Sequence, residues 1–224
     1  MKNVSMQRHV RILVMVSALM LGVAGAASAQ SDSVARNCPA AEIFATDNTA
    51  IITDPDDSRL TRHLTRFDHE VHGIIRSNGA TSGVSSLLDG VFWSAGRQQV
   101  TYERSRAFDV RNISRGGLHH VADLIAKQYD QESVLTFRCL RRTSPESDAA
   151  EVLAPGVSRT RLHDALVNSR EARTRLGGGS ITPDGQLILI APLADLRLAR
   201  EFAAGLGVDR HRTEIHYGDE EFVS

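Results

Sequence analysis

Apolar side chains in this sequence alternate twice between strand-like and helix-like spacing, in the same order each time. Residues 58–79 and 116–129 place apolar side chains three or four positions apart, which is the spacing of one face of an α-helix. Shorter β-forming runs flank both segments, and the same order returns between residues 150 and 217. The pattern predicts an α+β fold of two tandem ferredoxin-like domains (β-α-β-β-α-β twice), each an antiparallel sheet with helices on one face.

Turn-forming residues set the expected boundaries of these elements. In the first domain, strands and helices are expected at residues 50–53, 58–79, 87–94, 99–110, 116–129 and 133–140. In the second domain they are expected at residues 151–154, 158–176, 180–182, 186–193, 195–206 and 212–217, with Gly177, Gly178 and Gly179 ending a helix. The two domains then span residues 30–140 and 150–224, joined by a polar linker at 141–149.

The strand at residues 186–193 carries apolar side chains at consecutive positions from Leu187 to Ile190. A sheet covered by helices on one side only should alternate apolar with polar residues. We therefore expect the second sheet to be covered on both faces, either by the first domain or by a second copy of the chain. The short linker favours the first domain.

Residues 1–29 have the three parts of a secretory signal peptide. Lys2, Arg8 and Arg11 precede a largely apolar run at residues 12–25, and a small-residue A-x-A cleavage site ends at Ala29. The sequence thus predicts a protein that is exported, secreted or periplasmic, with no membrane span after cleavage. A retained anchor is the alternative, because the apolar run is nearly long enough to cross a bilayer.

Charge excludes nucleic acid as the main partner. Once the three basic residues of the signal segment are removed, 23 Lys and Arg stand against 27 Asp and Glu, a net charge of −4. Phosphate backbones require a surplus of basic charge. The sequence contains no motif that indicates a cofactor.

Residues 129–135 read Tyr-Asp-Gln-Glu-Ser-Val-Leu and follow an expected helix and strand. This segment resembles the closing F-x-Q-E-S-V-L segment of a family of small exported bacterial domains of unknown function. The resemblance covers about residues 91–140. It implies an exported domain of this fold and implies no chemistry.

Two histidines form the only candidate metal pair that the sequence suggests. His69 and His72 lie three positions apart on the first expected helix, away from its apolar face. The H-E-x-x-H arrangement of zinc proteases needs histidines four apart, and a catalytic zinc needs three protein ligands. Two solvated histidines are the alternative.

Arginines on the expected strand at 99–110 suggest an anion site. Arg104 and Arg106 fall on the same face as the aromatic residues of that strand, and Arg138 on the closing strand is expected to join them. If this face is the open side of the sheet, it could bind a small anionic ligand through bidentate contacts. Alternatively, these arginines pair with carboxylates of the second domain or face solvent.

The leading functional hypothesis is a non-enzymatic binding or structural module that engages an unknown protein or a small anionic ligand. The alternative is a small hydrolase-like enzyme with its site in the groove between the domains, around Arg104, Arg106 and Glu132. Glu132 would be the general base there, although a role in the turn before the closing strand is the simpler explanation.

Cys38 and Cys139 are the two cysteines of the sequence, and both follow the signal segment. An even number of cysteines in an oxidising compartment predicts a disulfide bond, with two free thiols as the alternative.

We expect a free-thiol assay on the denatured mature protein to find no reactive cysteine before reduction and two after it. The bond would close a loop of about 100 residues, so its loss should lower the unfolding free energy by up to about 4.7 kcal/mol. Two reactive cysteines under non-reducing conditions would contradict the prediction.

Overall fold

The computed structural model describes residues 40–50, 52, 57–88, 92–94, 99–101, 104–141 and 147–224. The expected signal segment, Cys38 and most of the expected linker therefore lie outside the described residues. The N-terminal half contains β1 (Ala41–Thr46), α1 (Ser58–Ser77), β2 (Thr81–Leu88), β3 (Phe92–Ser94), β4 (Gln99–Thr101), β5 (Ser105–Arg111), α2 (Arg115–Gln128) and β6 (Val134–Arg141).

The C-terminal half is also a mixture of strands and helices. It contains β7 (Ala149–Pro155), α3 (Arg159–Asn168), α4 (Arg170–Arg175), β8 (Gly178–Ile181), β9 (Gln186–Pro192), α5 (Leu196–Gly205) and β10 (Glu214–Val223). Single 3-10 turns at Leu193–Asp195 and Arg210–Arg212 flank α5. No helix in the described part of the chain is long and apolar enough to cross a membrane.

Short polar side chains begin the helices where the sequence pattern predicts helix starts. Asp57 accepts a hydrogen bond from the backbone amide of Arg59 at 2.8 Å, and Ser114 accepts one from Gly117 at 3.1 Å. These caps satisfy amides that have no partner within the helix. At the other end of α1, Gly79 adopts φ +78°, a conformation that costs glycine little.

All ten strands belong to one sheet, and every neighbouring pair in it is antiparallel. The order is β2-β5-β1-β6-β10-β7-β9-β8-β3-β4. β10 joins the two halves, because its first residues pair with β7 and its last residues pair with β6. The β3–β4 hairpin of the N-terminal half joins them a second time, since β3 pairs with β8.

The hairpin forces the sheet to roll up. Eight strand spacings separate β2 from β3 in the order of the sheet, which is about 38 Å if the sheet is flat. Leu88 ends β2 and Phe92 begins β3, so the chain between them spans at most about 14 Å. The two halves must therefore curl toward each other and bring their inner faces together.

Three apolar cores follow from this arrangement. The helices α1 and α2 cover the outer face of the N-terminal strands, and α3, α4 and α5 cover the outer face of the C-terminal strands. The third core lies between the inner faces and includes side chains from both halves: Phe44, Leu88, Ala107, Leu135, Phe137, Ala149, Ile188 and Ile190. The consecutive apolar residues of β9 thus cover both faces, as expected, with Leu187 and Leu189 under the helices.

The structure corrects several expected boundaries. β1 lies at Ala41–Thr46, before the expected strand at 50–53, and β2 was largely missed because its residues are mostly serine, threonine and glycine. Gly178 and Gly179 belong to β8, where they pair with β9, and do not form a helix terminator. The expected helix at 158–176 is interrupted at Ser169, whose hydroxyl caps α4 by accepting from the Ala172 amide.

β10 continues six residues beyond the expected end at 217. The acidic residues Asp219, Glu220 and Glu221 resemble a solvated tail in the sequence, yet they pair with β6. A β-bulge between Tyr217 and Asp219 marks the point where the strand changes partner.

The bulge of β10 requires glycine. A Cβ atom on Gly218 would lie 2.2 Å from the backbone oxygen of Arg138 and 2.9 Å from the ring of Phe137. We expect Gly218→Ala to lower the unfolding free energy by about 1–3 kcal/mol, because the backbone oxygen cannot move aside cheaply.

Gly73→Ala is the matched control, since no atom lies within 4 Å of a Cβ added there in α1. That variant should be more stable by about 0.5–1 kcal/mol. Urea denaturation followed by circular dichroism measures both values. Equal stability of the two variants would contradict the proposed crowding at the bulge.

Candidate functional site

A cavity of about 490 Å³ lies between α5 and the start of β10. Its apolar part comes from α5, from the turn that follows it and from β10, and consists of Ala203, Ala204, Val208 and Ile215. Its charged part consists of Arg197, Arg200, Glu201 and Arg210. A concave, partly apolar space with a few polar groups is the usual form of a small-molecule site.

Two arginines of this cavity have no partner in the described part of the chain. Arg197 lies 3.5 Å from Glu201, one helical turn away, in an exposed ion pair. Arg200 and Arg210 make no ion pair or side-chain hydrogen bond with any other described residue. Their guanidinium groups are therefore available to an anion that enters the cavity.

Local sequence explains how α5 places its arginines beside an apolar wall. Arg197 and Arg200 are three residues apart, so they project from neighbouring positions on one side of the helix. Ala203 follows at the same spacing and is buried, so it contributes apolar surface beside them. Arg210 lines the cavity from the 3-10 turn that follows the helix.

The arginines that the sequence pattern suggested for an anion site are engaged elsewhere. Arg106 forms an ion pair with Asp68 at 3.1 Å and donates a hydrogen bond to the hydroxyl of Ser85 at 2.8 Å. Arg138 donates to Asp219 at 2.7 Å, and Arg104 also has an interaction partner. Glu132 is exposed in the turn before β6.

The expected orientation of β5 is wrong. Phe108 and Val110 lie in the core under α1 and α2, and Arg106 reaches Asp68 on α1, so these alternating residues face the helices. Ala107 faces the inner core between the two halves. The small side chains of β5 were expected beneath the helices. They face the inner core instead, because the inner faces of the rolled sheet must also pack closely.

The two candidate metal ligands separate in the structure. His69 is exposed, whereas His72 lies between α1 and β2. Its Nε2 is 3.3 Å from Asp68, and its Nδ1 is hydrogen-bonded to the hydroxyl of Ser82. Among the described residues no group of three or more His, Cys, Asp and Glu side chains could hold a metal ion.

Asp68 is the centre of a polar network that fastens α1 to the sheet. It contacts His72 and Arg106 and accepts a hydrogen bond from Ser85. A hydroxyl, an imidazole and a carboxylate in this order also occur in acyl-transfer enzymes. Here Arg106 already compensates the charge of Asp68, so the carboxylate has little left to stabilise an imidazolium. Packing of the helix on β2 and β5 is the role that the contacts support.

Carboxyl groups from both halves meet in the interior. Glu42 on β1 is hydrogen-bonded to Glu151 on β7, and Glu151 is 1% exposed. Burial raises the pKa of Glu42 well above its ordinary value, and the carboxylates of Glu151 and Asp109 raise it further. The raised pKa of Glu42 thus follows from its burial beside other carboxyl groups.

Histidine completes this interior group. Nδ1 of His216 on β10 lies 3.1 Å from Oε2 of Glu151, and this hydrogen bond raises the pKa of His216. Glu220, farther along β10, lies against Gly177 at the start of β8. Burial and then the carboxylate of Asp148 raise the pKa of Glu220 to about 7.

Comparisons with known proteins identify no family. No family model and no curated protein matches the chain. One solved structure, a crystal structure described as a candidate glycine cleavage system transcriptional repressor, is similar at 15% sequence identity and a TM-score of 0.22. The match covers 83% of this chain and 96% of the other. A likeness at this level carries no information about function.

The sequence pattern alone does not identify the residues of the α5 cavity. The available signal was Arg197 and Arg200 on one side of a short helix, followed by Arg210. What the sequence does not show is that Ile215 lies across from them, because that contact depends on where β10 enters the sheet.

Interior carboxyl groups should make stability depend on pH. The folded chain holds a proton on Glu220 up to about pH 7, whereas an ordinary glutamate loses it near pH 4.5. The folded state thus binds more protons between pH 5 and 8, and the unfolding free energy falls as pH rises through this range. We expect Glu220→Gln to reduce this pH-dependent fall in the unfolding free energy by up to about 3 kcal/mol.

Chemical denaturation at pH 5, 6, 7 and 8 measures this dependence. Glu132→Gln is the matched control, because Glu132 is exposed and its replacement removes the same type of side-chain charge. Parallel stability curves for the native chain and Glu220→Gln would contradict the assignment.

Proposed function

We propose that this chain is an exported, non-enzymatic module of two ferredoxin-like halves that binds a small anionic ligand in the α5 cavity. The availability of Arg200 and Arg210 beside an apolar wall is the observation that carries the proposal. Export is supported by the signal-like residues 1–29. The strand orders β6-β1-β5-β2 and β10-β7-β9-β8 support two halves of the same topology.

The distribution of arginine contacts favours this cavity over the expected surface on β5. An arginine already paired with a carboxylate must lose that partner before it can bind a ligand, and Arg106 and Arg138 are both paired. An arginine without such a pair exchanges only water for the ligand. Binding of an anion in the α5 cavity therefore costs less free energy than binding of an anion to the arginine in the network around Asp68.

The residues suggested for catalysis do not come together at one place in the structure, and this supports a binding role. Glu132 lies in an exposed turn, while Arg106 contacts α1 on the outer side of the sheet. The inner faces, where an inter-domain groove was expected, are filled by the third apolar core. A binding module requires only the cavity and its charges.

The proposal is tested by titrating the mature protein with hexyl sulfate, followed by calorimetry. Hexyl sulfate combines a permanent anion with a short apolar chain, and 1-hexanol is the uncharged control. We expect saturable binding of hexyl sulfate and at least tenfold weaker binding of hexanol, because a charge-assisted hydrogen bond contributes about 1.5–3 kcal/mol.

Arg200→Glu and Arg210→Glu should each weaken the binding of hexyl sulfate by tenfold or more. Arg62→Glu is the matched control, since Arg62 is exposed on α1, far from the cavity in sequence and in fold. Circular dichroism checks that each variant is folded. Equal affinity of the three variants, or equal binding of sulfate and alcohol, would overturn the proposal.

A further inference from the structure

The charges of the α5 cavity do not balance. Three arginines and one glutamate line it, so its charged side chains carry a net charge of +2. We infer that the ligand of this cavity is an organic dianion with an apolar body, either a phosphate monoester or a dicarboxylate. This inference rests on the proposed function and specifies the ligand of the same site.

Two positive charges favour a doubly charged ligand over a singly charged one. A dianion accepts charge-assisted hydrogen bonds from both guanidinium groups with one charge for each, whereas a monoanion offers a single charge to both. Arg200 and Arg210 come from different elements, the helix and the turn after it, so they can approach one ligand from two directions. The planar guanidinium group suits both phosphate and carboxylate oxygens.

Glu201 weakens the preference for a dianion. Its carboxylate lines the same cavity and repels any anion, so binding must overcome this repulsion. Arg197 is within 3.5 Å of Glu201 and offsets part of its charge. A dianion gains about twice the attraction of the arginines and also meets about twice the repulsion of the glutamate. Removal of that carboxylate should therefore tighten binding of a dianion more than binding of a monoanion.

The size and lining of the cavity indicate an organic ligand. A volume of about 490 Å³ is many times the roughly 30 Å³ that a water molecule occupies in the liquid. It falls within the range of about 300–1,000 Å³ found for small-molecule sites. Inorganic phosphate would leave the surface of Val208 and Ile215 uncovered, whereas an apolar body would remove it from water.

A comparison of hexyl phosphate with hexyl sulfate tests the effect of charge at nearly constant shape, because the two probes share the alkyl chain and a tetrahedral head group. Phosphate esters lose their second proton near pH 6, so hexyl phosphate is mainly a dianion at pH 7.5 and a monoanion at pH 5. We expect hexyl phosphate to bind at least tenfold more tightly than hexyl sulfate at pH 7.5. At pH 5 the two should bind within about twofold of each other.

Hexyl sulfate keeps its charge at both pH values and therefore corrects for any effect of pH on the protein itself. Hexylsuccinate, a dicarboxylate with the same chain, is the third probe. Tighter binding of hexyl phosphate than of hexylsuccinate assigns the phosphate monoester, and the reverse assigns the dicarboxylate. Either result supports a dianion, provided that the preferred probe binds more tightly than hexyl sulfate.

Variants test whether the cavity charges cause the preference. Glu201→Gln should increase the ratio of the two affinities at pH 7.5, and Arg200→Gln should reduce it to about twofold or less. Arg62→Gln, on α1, should leave the ratio unchanged. Equal binding of hexyl phosphate, hexylsuccinate and hexyl sulfate at pH 7.5 would overturn the inference and leave the proposed function standing. Absence of binding by all three would overturn both.

Discussion

Pairing of β10 with strands of both halves is the contact on which the rest of the fold depends. Residues 214–218 of β10 complete the C-terminal strands, and the residues after the bulge complete the N-terminal strands. One continuous sheet results, and the connection from β2 to β3 obliges it to curl. The third core then forms between the inner faces, where Phe44 and Ile188 are buried although they lie in different halves.

The rolled sheet explains why carboxyl groups are found in the interior. Glu42 and Glu151 face inward because their strands alternate, and curling brings the two strands together. Burial and the neighbouring carboxylates raise the pKa of Glu42, and the hydrogen bond with His216 gives the buried Glu151 a partner. The closeness of the halves and the raised pKa of Glu42 are thus linked.

The α5 cavity lies on the outer side of β10. Ile215 contributes to the cavity, while its neighbour His216 points to Glu151 in the interior. The alternation of side chains along β10 therefore separates the charged, solvent-facing cavity from the buried Glu42 and Glu151 by one residue. Arginine serves different purposes around the molecule: Arg106 and Arg138 fasten elements together, and Arg200 and Arg210 stay available for a ligand.

The sequence by itself determined the α+β composition, the order of most elements, the apolar faces of the long helices and the need to cover both faces of β9. These properties are local, because they depend on caps, turns and spacing, such as Asp57 before α1 or Leu60 to Ile75 along it. Only the tertiary structure decided the orientation of β5, the length of β10 and the residues of the cavity. Each depends on contacts between distant segments, such as Arg106 with Asp68 or Ile215 with α5, which a local pattern does not encode.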